Sequence, residues 1–248
     1  AVIPVILFHA GIAPFNGGFI GVDVFFVISG FLITSLILND LKENRFSLAA
    51  FYDRRARRIL PALLLVIGLS ALAAWFLLPY KELQEFGRSA QSTATFISNV
   101  FFWKHTGYFE TRAELKPLLH TWSLAVEEQY YIFWPLLLML AGLLPVARRV
   151  NPGRLFAWLV AAVVAASLAY SVWLTWTSPA LAYFSTFTRA WELGVGGLLA
   201  VTTRWRQLGE GVREALRWIG LAMIAAAVLA YGKGTPFPGY AAALPVVG

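Results

Sequence analysis

The chain has 248 residues, 59% of them hydrophobic, 15% aromatic and only 13% charged, with a mean hydropathy of +0.67. A soluble domain carries about 25% charged and about 45–50% apolar residues, so this balance excludes an ordinary soluble globule and implies an all-α, polytopic transmembrane helical bundle. The formal charge of +7 is spread over short segments between apolar runs, which argues for membrane topology and against a nucleic-acid partner. With no cysteine in the chain, disulfide and thiolate chemistry have no place in it.

In chain order, the first element is the apolar run VILFHAG, residues 5–11, in which His9 is a lone titratable ring. The next predicted span, Phe19–Leu38, gives about 30 Å of helix, enough for the hydrocarbon core, and holds Asp23 one turn in and Ser29 further along. Further spans are predicted at Ile59–Pro79, Leu118–Leu144, Leu155–Trp176, Ala182–Val201 and Trp218–Tyr231. Arg88–Trp103 is shorter and richer in Ser, Thr and Asn, and reads as a re-entrant or half-spanning segment. The chain begins and ends inside apolar segments, so a fragment of a longer domain, truncated at both ends, is expected.

Basic residues orient the spans. Lys42, Arg45, Arg54, Arg55, Arg57 and Arg58 follow the first long span; Arg148, Arg149 and Arg154 follow Leu144; Arg204, Arg206, Arg213 and Arg217 follow Val201. These three segments are expected on the cytoplasmic side, which leaves the loop after His9 facing outward.

Polar residues within spans are costly in lipid and are functional candidates. In FYDRRARRILPAL, the arginines read as a topology signal and also as a bidentate phosphate site, Arg54, Arg55, Arg57 and Arg58, with Pro61 placed in an early helix turn. In KPLLHTWSLAVEEQYYIFWP, His120, Ser123, Glu127 and Tyr131 share one helix stripe, with Glu128 beside it and Trp122 suited to an interfacial aromatic belt. In FTRAWELGVGGLLA, Arg189 and Glu192 stand at i, i+3 and read as an ion pair within the membrane. The neighbouring Gly194, Gly196 and Gly197 permit close helix packing.

Taken in order, VILFHAG, GGFIGVDVFFVISGFLIT, FYDRRARRILPAL, LKPLLHTWSLAVEEQYYIFWP and TRAWELGVGGLLA resemble the acyltransferase 3 family of membrane O-acyltransferases, which includes O-antigen acetylases. The resemblance covers essentially the whole chain. It implies a membrane domain of about ten helices in the bacterial cytoplasmic (inner) membrane. Such a domain moves an acyl group, usually acetyl, from cytoplasmic acyl-CoA to a hydroxyl of a cell-envelope glycan such as O-antigen. Acyl-CoA is then a donor substrate rather than a permanent cofactor, and no metal is expected. The resemblance also implies that an extracytoplasmic hydrolase-like domain accompanies some members. It assigns His9 as the catalytic residue, matching the family's first-helix histidine.

The chemistry of the residues fits that role. Acyl transfer to a hydroxyl requires a base, and imidazole serves near neutral pH. Asp23 is expected at a depth similar to that of His9, as its orienting carboxylate. Ser29, His120, Trp122, Ser123, Glu127, Glu128, Arg189 and Glu192 are expected to line an acceptor cavity. Two alternatives remain: a proton-coupled transporter or flippase using the same His, Asp and Glu, and a non-catalytic membrane interaction protein.

Overall fold

The computed structural model describes residues 1–105, 116–143, 152–202, 207–232 and 234–248. Arg148, Arg149, Arg204 and Arg206, counted above in the expected cytoplasmic loops, lie outside these residues, as does Leu144. The chain is helical, with no strand among the described residues. The helices are α1 (Val2–His9), α2 (Gly21–Lys42), α3 (Leu48–Leu77), α4 (Tyr80–Ala94), α5 (Ser98–Lys104), α6 (Thr121–Leu143), α7 (Pro152–Thr177), α8 (Pro179–Phe184), α9 (Thr186–Val201), α10 (Glu210–Ala230) and α11 (Ala243–Val247).

Among the described residues, three helices are long and apolar enough to cross a bilayer: Gly18–Lys42, which is α2 with the 3-10 turn before it, Leu48–Leu77, and Arg154–Thr177 within α7. Helices α6 and α10, of 23 and 21 residues, have the length. Their first halves carry Glu127 and Glu128, and Glu210, Arg213, Glu214 and Arg217 respectively, which lower their apolar character.

Two expected spans change form. Helix α3 starts well before Ile59, because Ser47 caps it by accepting the Ala50 amide. The arginines are therefore helical, and Pro61 lies in the helix interior instead of its first turn. The expected span Ala182–Val201 is broken into α8 and α9. At the break, the Thr188 hydroxyl donates to the Ala182 carbonyl at 2.6 Å, and Arg189 Nε donates to the Tyr183 carbonyl at 3.1 Å. These side chains replace the helical amides that the break removes. The region around Arg88–Trp103 also forms no single span: α4 and α5 have 15 and 7 residues, each shorter than the roughly 20 needed to cross.

The chain divides into two compact units, one of Ala1–Asn39, Leu136–Tyr183 and Phe187–Gly248, the other of Asp40–Pro135 and Phe184–Thr186. In the first, Asp23, Phe26, Gly30, Ile33 and Ile37 are buried on α2, a step of three and four residues that makes one stripe. That stripe meets α9 at very close range. A side chain on Gly30 would collide with the Leu193 carbonyl, and one on Gly196 with the Val27 carbonyl. Nearby, Trp191, Ala242 and Val246 form one apolar core, and Ile20, Ala227 and Val228 another.

In the second unit, α4 and α5 form a hairpin. The Phe96 backbone at the turn between them has φ 54, and its carbonyl accepts Gln129 Nε2 from α6 at 2.8 Å. Lys116 closes the other end of the hairpin, ion-paired with Glu85 of α4 at 2.6 Å and donating to the His105 carbonyl beyond α5 at 2.9 Å. Much of α3 is exposed, including Leu64, Leu69, Leu72, Trp75 and Phe76, as a lipid-facing helix requires.

The glycine contact sets a measurable contrast. Gly30→Ala or Gly196→Ala is expected to destabilise by about 1–3 kcal/mol, because backbone must move to admit a methyl group. Gly68→Ala on α3, where nothing lies within 4 Å of the added carbon, is expected to stabilise by roughly 0.4–1 kcal/mol. Thermal unfolding of the three variants in detergent reads this, and equal melting temperatures would contradict it.

Candidate functional site

In the first unit, the polar residues of α2 and α9 converge on one guanidinium. Arg189 Nη1 donates to Asp23 Oδ1 at 2.7 Å and to Glu192 Oε1 at 2.9 Å, and all three residues are at most 1% exposed. The guanidinium carbon lies 5.1 Å from the Tyr183 ring centre and 5.2 Å from that of Phe237, so its faces meet aromatic carbon while its edge meets carboxylates. The expected Arg189–Glu192 pair is thus present, and Asp23 joins it from 166 residues away in the chain. Asp23 reaches it from the buried stripe of α2, a contact the sequence reading assigned to His9 instead. Tyr183 and Phe237 gave no signal in the sequence, being aromatic residues in an aromatic-rich chain.

His9 ends α1 with its ring exposed. Nδ1 lies 2.8 Å from the Val5 carbonyl. A carbonyl only accepts, so the proton of the neutral ring resides on Nδ1 and the lone pair on Nε2. The expected His9–Asp23 dyad is not formed by hydrogen bonding, because Asp23 gives its carboxylate to Arg189 and His9 is oriented by its own helix backbone. Aromatic contacts run from His9 toward the ion cluster nonetheless. Phe8 touches the His9 ring at 5.1 Å and Phe19 at 5.6 Å, and Phe19 meets Phe237 at 4.9 Å.

In the second unit, the arginines of α3 divide by face. Arg55 turns to α6, 3.2 Å from Glu128 and with its guanidinium 4.0 Å from the Tyr131 ring centre, both partners being largely buried. Arg54 pairs with Asp40 and Arg57 with Asp53, each at 2.9 Å; both arginines and Asp53 are exposed, while Asp40 is half-buried. Arg58 has no ion pair among the described residues. Glu128, expected in an outward cavity, therefore sits with an arginine of the basic cluster, because α3 and α6 pack with Arg55 level with Glu128 and the Tyr52 hydroxyl bonded to the Ile132 carbonyl at 3.0 Å.

The other expected lining residues scatter. Ser29 is half-buried on α2. His120 is exposed in the turn before α6, where the Ser123 hydroxyl bonds its carbonyl at 3.3 Å, and Glu127 is half-buried. Trp122 is 5% exposed and packs edge-on against Phe184 at 5.5 Å, so it belongs to the core of its unit rather than to an interfacial belt. Sequence reading missed Asn99, Gln129 and Thr186, an amide and hydroxyl network built around the buried Asn99. Asn99 Nδ2 donates to the Phe184 carbonyl at 3.1 Å, and Gln129 Nε2 to Asn99 Oδ1 at 2.9 Å, while Thr186 bonds Gln129 Oε1.

The ion cluster makes a stability claim. Arg189→Gln strands two buried carboxylates and is expected to cost about 3–5 kcal/mol. Asp23→Asn combined with Arg189→Gln is expected to fall well short of the sum of the single losses. Asp23→Asn combined with His9→Ala is expected to be additive to within about 0.5 kcal/mol. A double-mutant cycle read by thermal unfolding checks both, and full additivity of Asp23→Asn with Arg189→Gln would contradict the cluster.

Residues 1–246 match the family described as the acyltransferase domain. The chain is 36% identical over 219 residues to the peptidoglycan O-acetyltransferase OatA of Listeria monocytogenes, covering 86% of this chain and 34% of that protein. It is 33% identical over 246 residues to a protein of Komagataeibacter xylinus provisionally named a membrane-bound transacylase, BcsY, covering 99% of this chain and 60% of that protein. A 119-residue match at 44% identity to an uncharacterized protein of Haemophilus influenzae covers 48% of this chain and 49% of that one. The chain thus spans between about a third and 60% of the length of these relatives. No solved structure matches it. With the family match running through every helix from α1 to α11, including the His9, Arg54–Arg58 and Arg189–Glu192 segments, this chain belongs to the acyltransferase 3 family.

Proposed function

We propose that the protein transfers an acyl group, acetyl in the simplest case, from acyl-CoA at the cytoplasmic face of a bacterial inner membrane to a hydroxyl of a cell-envelope glycan on the opposite side. The observation that carries this reading is His9: a single imidazole on an apolar helix, exposed, with Nδ1 committed to the Val5 carbonyl and Nε2 left as a base. In the reaction, Nε2 takes the acceptor hydroxyl proton as the oxygen attacks the thioester carbonyl, which the long arm of acyl-CoA must bring to His9 from phosphates held at the cytoplasmic face. The new carbon–oxygen bond forms, the carbon–sulfur bond breaks, and one proton is left to neutralise the departing thiolate.

What supports acyl transfer over a proton-coupled transporter is the state of the intramembrane acids. Asp23 and one oxygen of Glu192 are bonded to Arg189, and Glu128 is paired with Arg55, whereas a relay needs carboxyls free to exchange protons. The acceptor class follows the name of a relative, which is a peptidoglycan O-acetyltransferase. Peptidoglycan thereby joins O-antigen and other surface polysaccharides as a candidate acceptor.

His9→Ala is expected to lower glycan acylation by at least about 100-fold, the ordinary worth of a general base, with expression and melting temperature unchanged. Mass spectrometry of envelope glycans from cells carrying wild type or variant measures this. Retained acylation in a normally expressed variant would remove the reading.

The basic cluster is assigned to the phosphates of coenzyme A. Arg54 and Arg58 present exposed guanidiniums, and Arg54 is held in place by Asp40, which also pairs with Arg45. Arg54→Gln combined with Arg58→Gln is expected to weaken acyl-CoA binding about tenfold at low salt and less at high salt, where screening already weakens the native contacts. Lys at both positions is expected to restore binding only in part. A titration giving equal affinity for wild type and the double Gln variant would leave these arginines as topology signals.

A further inference from the structure

The end of α3 remote from the arginines carries a second feature. Leu78, Glu82, Glu85, Phe86, Ser89 and Lys116 line a cavity of about 30 Å3 within the second unit. Lys116 is a nearly buried cation, its side chain 6% exposed. Its ammonium pairs with Glu85 and donates to the His105 carbonyl, and it carries three donors in all, at the wall of the cavity. Glu82, one turn before Phe86, is exposed at the rim and has no ion pair among the described residues. The Ser89 hydroxyl donates to the Phe86 carbonyl at 2.7 Å, so its oxygen still accepts. Phe86, 6% exposed, supplies an apolar wall.

These groups select a ligand by their chemistry. Two carboxylates against one ammonium oppose phosphate or another anion. Carboxylate, ammonium and hydroxyl side by side suit a neutral group that both donates and accepts, which is what a hydroxyl does: one sugar hydroxyl gives its proton to a carboxylate while its neighbour accepts from the ammonium. The cavity holds one or two such groups and excludes a sugar ring, so its occupant is the protruding edge of a larger molecule.

Position supplies the second argument. From Arg58 to Leu78 is about 30 Å along α3 at 1.5 Å per residue, the thickness of the hydrocarbon core. The basic end of the helix marks the cytoplasmic face, so the cavity lies at the opposite face, where an envelope glycan is met. We infer that the cavity formed by Glu82, Glu85, Phe86, Ser89 and Lys116 is an acceptor subsite that holds vicinal hydroxyls of a neutral sugar unit. This inference rests on the acyl-transfer reading for its choice of glycan as ligand.

The test measures binding and turnover separately on the full-length protein in nanodiscs. The probe is end-labelled fragments of the producing bacterium's envelope glycan. Without acyl-CoA, Glu82→Ala and Lys116→Gln are each expected to weaken fragment binding at least fivefold, with the melting temperature unchanged for Glu82→Ala. With acyl-CoA, the half-saturating glycan concentration is expected to rise by the same factor, the maximal rate to stay within twofold, and the half-saturating acyl-CoA concentration to stay unchanged. If Lys116→Gln fails to fold, Glu82→Ala and Glu82→Lys carry the comparison. Wild-type fragment affinity in the Glu82 variants, or a loss of maximal rate with unaltered glycan dependence, would overturn the subsite. A wild type that binds fragments through Glu82 yet transfers no acyl group would sink the proposed function and leave the subsite standing. A wild type that transfers, with variants of unaltered glycan dependence, would sink the subsite alone.

Discussion

Every backbone amide and carbonyl placed in lipid must find a partner inside the protein, and the irregular parts of this fold are shaped by that requirement. Between α4 and α5 and between α8 and α9 the helices are interrupted, and in both places side chains take over the bonds that the helix lost. Gln129 satisfies the Phe96 carbonyl, Asn99 that of Phe184, Thr188 that of Ala182, and Arg189 that of Tyr183. Without these side chains each break would leave a carbonyl bare at a cost of a few kcal/mol. The polar residues inside the spans are therefore first of all the partners of broken backbone.

Arg189 carries this further, since the same guanidinium that bonds the Tyr183 carbonyl also bonds Asp23 and Glu192. Desolvating charged groups is expensive, and the attraction of the guanidinium for each carboxylate repays it only when the geometry is fixed. Fixing it is the work of the glycines. Gly30 and Gly196 let α2 and α9 approach until backbone meets backbone, which carries Asp23 to the start of α9. Small residues and buried charges in the first unit thus form a single packing solution. In the second unit the Arg55–Glu128 pair, covered by Tyr131, fixes the register of α3 against α6 in a comparable way.

The division of arginine roles follows from helix geometry. Successive residues turn by about 100°, so four arginines within five positions of α3 cannot share a face. Arg55 is drawn into the core of its unit while Arg54, Arg57 and Arg58 stay at the surface. The reading of all four as one phosphate site placed Pro61 in an early turn of a helix beginning near Ile59. Once Ser47 caps the helix, the cluster separates into a structural residue and a surface group.

The sequence by itself determined the class of the protein, the apolar helices, the family, and the Arg189–Glu192 pair, because composition, length and i, i+3 spacing are local quantities. It also singled out His9, since one imidazole among Val, Ile, Leu and Phe needs no tertiary context to stand out. Only the tertiary structure decided that Asp23 belongs to Arg189 instead of His9, that Glu128 belongs to Arg55, that Trp122 is core, and that Glu82 and Lys116 line one cavity. The physical reason is that a buried charge must be paired, and which partner it takes depends on which helices touch and at what height. Those are set by close-packed glycines and by carbonyls freed at helix breaks, neither of which leaves a periodic trace in the chain.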